Sequence, residues 1–363
     1  MLILTVAFVV SLCLTLLVVR SAKSHGQFSS DHDMSGPQKF HAHPVPRVGG
    51  VGIVAGMLAG AWVLWWRDPG AGAEALVLLA CGLPALAAGL AEDLTKRVSA
   101  SRRLLATAFS ALLAVWLLDA MITRTAIPGL DWIVSTSLGA ALVSVFVVAG
   151  VANSLNIIDG FNGLASMCGV LILLSLAYVG FQVDDTLVAL LALAGVGSLL
   201  GFFVWNFPAG LIFLGDGGAY FLGFYIAELA IMLLYRNPAV SPMFPLLLCI
   251  YPVFETVFSI YRRRFLRAMP PSMPDGIHLH SLIYRRVMRW AVGNQSASAM
   301  TRRNSMTSPY LWMLCMLAAV PSVLFWNNTA VLAVLIVLFG MTYVALYWRI
   351  VRFKSPRWLV FRR

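Results

Sequence analysis

Runs of about 20 apolar residues, the length needed to cross the hydrocarbon core of a bilayer, recur along this chain with short polar breaks between them. About eleven can be drawn, near Leu2 to Val19, Val48 to Trp66, Ala75 to Ala91, Leu104 to Ile122, Ile133 to Ala152, Leu164 to Phe181, Thr186 to Val204, Gly218 to Leu234, Pro242 to Tyr261, Tyr310 to Phe325 and Ala330 to Tyr347. No water is available at that depth for unpaired backbone groups, so each run is expected to be a helix. With 60% hydrophobic and 11% charged residues and a mean hydropathy of +0.85, a water-soluble globular domain is excluded. The expected fold is an all-α integral membrane protein, a polytopic bundle forming a single domain over residues 1–363.

The first run follows Met1 directly, lacks a basic region before it and has Arg20 and Lys23 after it, so it reads as a retained helix and not a cleaved signal peptide. Cys13, Cys81, Cys168, Cys249 and Cys315 each lie inside an apolar run without metal-ligand spacing and read as packing residues.

The net charge of +11 raises the question of nucleic acid, but the basic residues follow topology instead of forming one patch. Of the 26, all except Arg67, Arg124 and Arg236 fall in the odd-numbered loops or the C-terminal tail. By the positive-inside rule those loops and the C-terminus face the cytoplasm, the N-terminus is periplasmic, and an odd number of spans is required. Two of the inward loops are long, Arg20 to Arg47 and Arg262 to Pro309, and function should concentrate there.

Only 15 acidic residues are present, and a carboxylate near a bilayer core is costly unless it faces a polar cavity or a partner. Asp68, Asp119, Asp131, Asp184 and Asp185 sit at outward loops and read as solvated termini. Glu92, Asp93, Asp159 and Asp216 all lie at inward ends of runs, where they are placed to converge on one site.

Three stretches carry the remaining polar signal. Asn153, Asn156, Asp159 and Asn162 recur every third residue between the fifth and sixth runs, a polar stripe drifting slowly round a helical face. Simple helix caps would need only one such residue. Phe213-Leu214-Gly215-Asp216-Gly217-Gly218 surrounds one acid with glycines that permit close backbone approach to a ligand, or else form a flexible turn. In Pro274-Asp275-Gly276-Ile277-His278-Leu279-His280 the two histidines cannot share a helical face, so an extended or turn conformation is needed for both to reach one ligand. Zinc would require further ligands with suitable spacing, so phosphate contact or proton transfer suits them better, with solvated surface as the alternative.

Together these stretches resemble the family of polyprenyl-phosphate N-acetylhexosamine-1-phosphate transferases, of the glycosyltransferase family 4 type. The resemblance begins at Pro44-Val45-Pro46-Arg47-Val48-Gly49-Gly50 and continues through Gly89-Leu90-Ala91-Glu92-Asp93, the Asn153 to Leu164 stretch, the Phe213 to Gly218 stretch and His278 with His280. Glu255 also sits where the family carries an acid. The departures are Glu92 for the first of two paired aspartates, Asn162 for a second acid, and Ser281 for a third histidine. They point away from the peptidoglycan enzyme and toward a starter of O-antigen or another surface glycan.

The resemblance implies a multi-pass enzyme of the bacterial inner membrane, with catalytic loops near 20–47, 92–103, 153–163, 205–217 and 262–309 facing the cytoplasm. It would transfer N-acetylhexosamine 1-phosphate from a UDP-sugar to undecaprenyl phosphate and release UMP. Asp93, Asp159, Asp216 and Glu92 are the catalytic candidates, with Asp93 a base, or Asp93 or Asp159 a covalent nucleophile. Arg47, Lys96, Asn153, Asn156, Asn162, His278, His280 and Arg285 are the candidates for substrate binding. Mg²⁺, with Mn²⁺ as a substitute, would be held by Asp216 and Asp93. The bilayer is a further partner, nucleic acid is not, and a homodimer is compatible with relatives of this kind. An ion- or proton-coupled transporter is the competing class, but its acids would be expected near the bilayer midplane, where this sequence offers little besides Glu228.

Overall fold

The computed structural model describes residues 1–29, 45–266, 276–288 and 296–352. Lys39, Pro44, Arg267, Pro274, Asp275, Arg289 and the basic tail beyond 352 lie outside them. Among the described residues the secondary structure is helical, and ten helices are long and apolar enough to cross a membrane. They are α1 (Leu2–Ser29), α2 (Gly49–Arg67), the pair α3 (Pro69–Cys81) and α4 (Leu83–Thr95), which together make one span, and α5 (Ala100–Leu118). After a short α6 (Pro128–Val134) come α7 (Ser137–Ile158), α8 (Leu164–Gln182), α9 (Thr186–Asn206) and α10 (Gly215–Arg236). The order continues through α11 (Met243–Leu248), α12 (Ile250–Tyr261) and α13 (Leu279–Leu282) to α14 (Ala297–Leu324) and α15 (Thr329–Val351).

The ninth expected run, Pro242 to Tyr261, is present but divided at Cys249 into α11 and α12. Pro252 has no N–H to offer the carbonyl of Leu248, so one rung of the helix is missing where the chain bends. The third run is broken in the same way: Pro84 has no N–H to offer the carbonyl of Ala80, and the hydroxyl of Ser110 on α5 accepts the amide of Ala85 at 3.1 Å.

α10 is the axis of the bundle, with its whole apolar window buried, and it packs against α7, α4 and α2. α1 lies against α9 and α2. α5 and α15 are mostly uncovered by protein, as lipid-facing helices are, and carry exposed Leu105, Phe109, Leu112 and Trp116 on α5 and Val334, Val337 and Met341 on α15.

Two helices run further than hydropathy alone marked. α7 continues through Asn153 and Asn156 to Ile158, so these amides sit on a helix and not in a loop. α14 starts at Ala297, capped by Ser296, because its polar first turns have a partner: Asn304, Ser305 and Ser308 bond to the turn around Asn162.

Candidate active site

Two distant motifs are joined first by backbone. The amide of Phe213 donates to the carbonyl of Pro46 at 2.8 Å, and the amides of Gly49 and Gly50 donate to the carbonyls of Phe213 and Leu214 at 3.0 Å each. The chain then turns at Gly215, whose φ of 78° is left-handed and whose missing side chain is required, since a Cβ there would lie 1.8 Å from the carbonyl oxygen of Arg47. This places Arg47 beside the start of α10.

The carboxylate of Asp93, at the end of α4, is buried and caps that same helix start. Its Oδ1 accepts the amide of Asp216 and its Oδ2 the amide of Gly217, both at 2.9 Å. Such contact needs α4 and α10 to touch backbone to backbone, which Gly89 allows: a Cβ on it would meet the Gly217 nitrogen at 2.4 Å.

Asp216 carries the next layer. Its Oδ1 accepts from Arg47 at 3.2 Å and from the side-chain amide of Asn156 at 3.0 Å, and its Oδ2 pairs with Arg103 from the first turn of α5. Arg47 Nε also lies 3.6 Å from Asp93 Oδ1, so one guanidinium spans both acids. Arg103 stands over the ring of Tyr220 at 5.6 Å, and the Tyr220 hydroxyl donates to Asn153 Oδ1 at 3.2 Å.

Asp159 follows α7 as its C-terminal cap residue and faces Arg47, Asp93 and the backbone amide of Gly215. Burial pushes its carboxyl up to about 7, with Arg47 and Gly215 pulling the other way and Asp93 adding to the rise. The adjoining Gly160 and Phe161 meet the histidines: His280 Nε2 would lie 3.8 Å from a Cβ on Gly160, and the Phe161 and His280 rings are 5.5 Å apart. His278, extended at the N-cap of α13, stacks on His280 at 5.1 Å with 11° between planes.

The structure therefore gathers Arg47, Asp93, Asn153, Asn156, Asp159 and Asp216, with His280 against the adjoining Gly160 and His278 stacked on it. Lys96 is exposed, in left-handed backbone at the end of α4, near enough to Asp93 to act on it electrostatically. Glu92 is not brought in: its Oε2 accepts the amide of Val98 at 2.7 Å and closes the α4–α5 turn. Nor does Asn162 bond to the acids. It is buried, its backbone amide donates to Asn304 Oδ1 at 2.8 Å and its side-chain amide to Ser305 Oγ at 3.0 Å, which makes it a lock between the α7–α8 turn and α14. Arg285 is exposed beside Tyr284. Arg103 was not among the site candidates; its one signal in sequence is its place in a basic inward loop, four residues after the helix-capping Ser99.

A divalent cation is the group most suited to phosphates here. Among the described residues no group of three or more His, Cys, Asp or Glu could hold a metal ion. Mg²⁺, however, is usually bound by about one or two carboxylates completed by substrate phosphate oxygens and water, so of the expected pair Asp216 and Asp93 it is Asp216 that would suit it. The two are not equivalent. Asp93 is committed to two backbone amides, whereas the partners of Asp216 are side chains able to move aside.

Comparison with known proteins gives a match to the family model described as glycosyl transferase family 4, over residues 75–234. That interval holds Asp93, Asp159 and Asp216 but neither Arg47 nor the histidines. Among curated relatives, a Bacillus subtilis (strain 168) protein described as a probable undecaprenyl-phosphate N-acetylglucosaminyl 1-phosphate transferase is 30% identical over 280 residues, 76% of this chain and 75% of the relative. The undecaprenyl-phosphate alpha-N-acetylglucosaminyl 1-phosphate transferase of Thermotoga maritima is 29% identical over 261 residues, 71% of this chain and 74% of the relative. A phospho-N-acetylmuramoyl-pentapeptide-transferase of Clostridium beijerinckii is 37% identical over 138 residues, 37% of this chain and 42% of the relative.

Proposed function

The chain belongs to glycosyl transferase family 4 and is a multi-pass membrane phosphoglycosyltransferase acting on a polyprenyl phosphate, and from that premise we propose that its donor is a UDP-N-acetylhexosamine and its acceptor undecaprenyl phosphate. The observation that carries this reading is the meeting of the Arg47 and Arg103 guanidinia with Asp93, Asp159 and Asp216 at the start of α10. Membership of a transferase family sets the transporter reading aside.

Two phosphorylated substrates have to meet, and unit charges about 4 Å apart repel by roughly 1 kcal/mol in water and several-fold more near protein. Arg47 and Arg103 supply fixed positive charge on two sides of Asp216, and the first turn of α10 adds its partial positive charge. Mg²⁺ bound at Asp216 would neutralise phosphate oxygens and absorb charge developing in the transition state. An oxygen of the lipid phosphate attacks the β-phosphorus of the donor, the bond from that phosphorus to the bridging oxygen breaks, and UMP leaves with the electron pair. Direct attack is favoured over an aspartyl intermediate on Asp93, because that carboxylate is sealed in the protein with both oxygens accepting backbone amides. Asp159, titrating near neutrality like the second ionisation of a phosphate monoester, is suited to receive the lipid phosphate's proton.

N-Acetylglucosamine is the sugar we favour, since the Bacillus and Thermotoga relatives are described as N-acetylglucosaminyl 1-phosphate transferases. The site would face the cytoplasm of the bacterial inner membrane, as the arginine-rich loops indicate, and the product would begin O-antigen or another surface glycan. The test is purified protein with UDP-N-acetylglucosamine, undecaprenyl phosphate and Mg²⁺, followed by UMP release. Turnover abolished by chelator and restored by Mg²⁺ is expected. No UMP with any UDP-N-acetylhexosamine, or full activity in Asp216→Asn, would overturn the assignment.

A further inference from the structure

Glu255 on α12 turns both of its carboxylate oxygens on His278 and the groups around it. Oε1 lies 3.0 Å from His278 Nδ1 and accepts the backbone amide of Leu279 at 3.0 Å, while Oε2 accepts the hydroxyl of Tyr343 at 2.7 Å. Glu255 is 1% exposed, His278 4% and Tyr343 0%, so water does not compete for these bonds. Tyr343 comes from α15, near the C-terminal end of the chain, and its ring is wedged edge-on between Phe254 and Phe258 at 5.0 and 5.6 Å. Its hydroxyl is thus aimed by packing on α12 itself.

An ionised carboxylate only accepts hydrogen bonds, so the proton between Glu255 and His278 resides on the imidazole Nδ1. The neutral ring then has its lone pair on Nε2, the nitrogen turned away from Glu255. Titratable or charged side chains near His278 include His280, stacked on it, and Arg262 after α12 and Tyr347 from α15, which both bond to the carbonyl of the preceding Ile277. Arg262 is directed to the Ile277 carbonyl at 3.0 Å and to the Tyr347 hydroxyl.

We propose that Glu255 and Tyr343 are positioning residues, which hold neutral His278 as the Nδ1–H tautomer and seat the stacked His278–His280 pair against the Gly160 turn, so that Nε2 of His278, on taking up a proton from solvent, donates to an anionic oxygen of the donor. This rests on the phosphoglycosyltransferase reading and extends it to α15, which lies outside the stretch matched by the family model. It assigns the last helix a duty in the reaction and not in span count alone.

The experiment uses full-length protein labelled with [¹⁵N]histidine. The six histidines are separated by the signal lost in His278→Gln. Wild-type protein at alkaline pH is expected to show His278 protonated at Nδ1. Glu255→Gln is expected to give a mixture of tautomers with kcat lowered at least ~10-fold and little change in KM for the UDP-sugar. Tyr343→Phe keeps the carboxylate and is expected to keep the tautomer, with a smaller fall in kcat. His278 protonated at Nε2 in wild-type protein overturns the proposal, as does a folded Glu255→Gln with unchanged tautomer and kcat. The wild-type spectrum decides the matter even where Glu255→Gln fails to fold. Wild-type protein that releases no UMP defeats the reaction reading instead and leaves the tautomer to be judged separately.

Discussion

Asp93 reaches Asp216 through the backbone: its carboxylate accepts the Asp216 amide at 2.9 Å and the Gly217 amide at the same distance, so one acid of the site fixes the helix that displays another. Asp93→Asn is expected to remove activity and stability together, because its amide group would set a donor against a donor. Loss of such a cap costs about 0.5–2 kcal/mol, whereas Asp216→Asn should remove activity with a smaller effect on unfolding. Thermal unfolding in detergent beside UMP release separates the two.

Arg47 bridges Asp93 and Asp216 with different nitrogens of one guanidinium. A lysine is a point charge and cannot span both, so Arg47→Lys is expected to behave like Arg47→Ala. Both should lower kcat/KM by roughly 100-fold, the scale seen on removing a preorganised electrostatic group. Recovery of near wild-type turnover in Arg47→Lys would show that charge alone suffices.

Gly89→Ala places a methyl group 2.4 Å from the Gly217 nitrogen and 2.5 Å from its Cα, against backbone that cannot step aside. Overpacking of that kind costs about 1–3 kcal/mol, and here it would also push Asp93 off its amides. Gly150→Ala has nothing within 4 Å and is the neutral control. The pair is compared by unfolding temperature and turnover.

Asp159 supplies a pH test whose sign is set by its raised pKa. Below about 4 the carboxyl is protonated in folded and unfolded chains alike, and between there and about 7 only the unfolded chain ionises. Stability contributed by this group therefore falls as pH rises through that window. Asp159→Asn should consequently gain in unfolding temperature relative to wild type at pH above about 7 compared with acid pH. Equal differences at both pH values would show that the carboxyl is not held near neutrality.

Asn162→Ala is expected to act on folding more than on substrate. It removes the side-chain amide from Ser305 in a buried lock, a loss of about 1–3 kcal/mol, and should leave KM for the donor near its wild-type value. A large rise in KM without loss of stability would return Asn162 to the substrate.

Sequence by itself determined the class of molecule and the neighbourhood of its site. Long apolar runs admit only helices in a bilayer, and acids too costly to scatter in lipid mark where polar work is done. Tertiary structure decided how those residues divide their duties. Glu92 and Asp93 are adjacent in the chain, yet helix rotation turns one to a loop amide and the other to the start of α10. Asn156 and Asn162 belong to one three-residue pattern, but α7 ends between them, so one reaches Asp216 and the other binds α14. Beyond the basic loop that holds Arg103, neither Arg103 nor Tyr343 carried a sign of its role, because each acquires its partner only when helices far apart in the chain pack side by side.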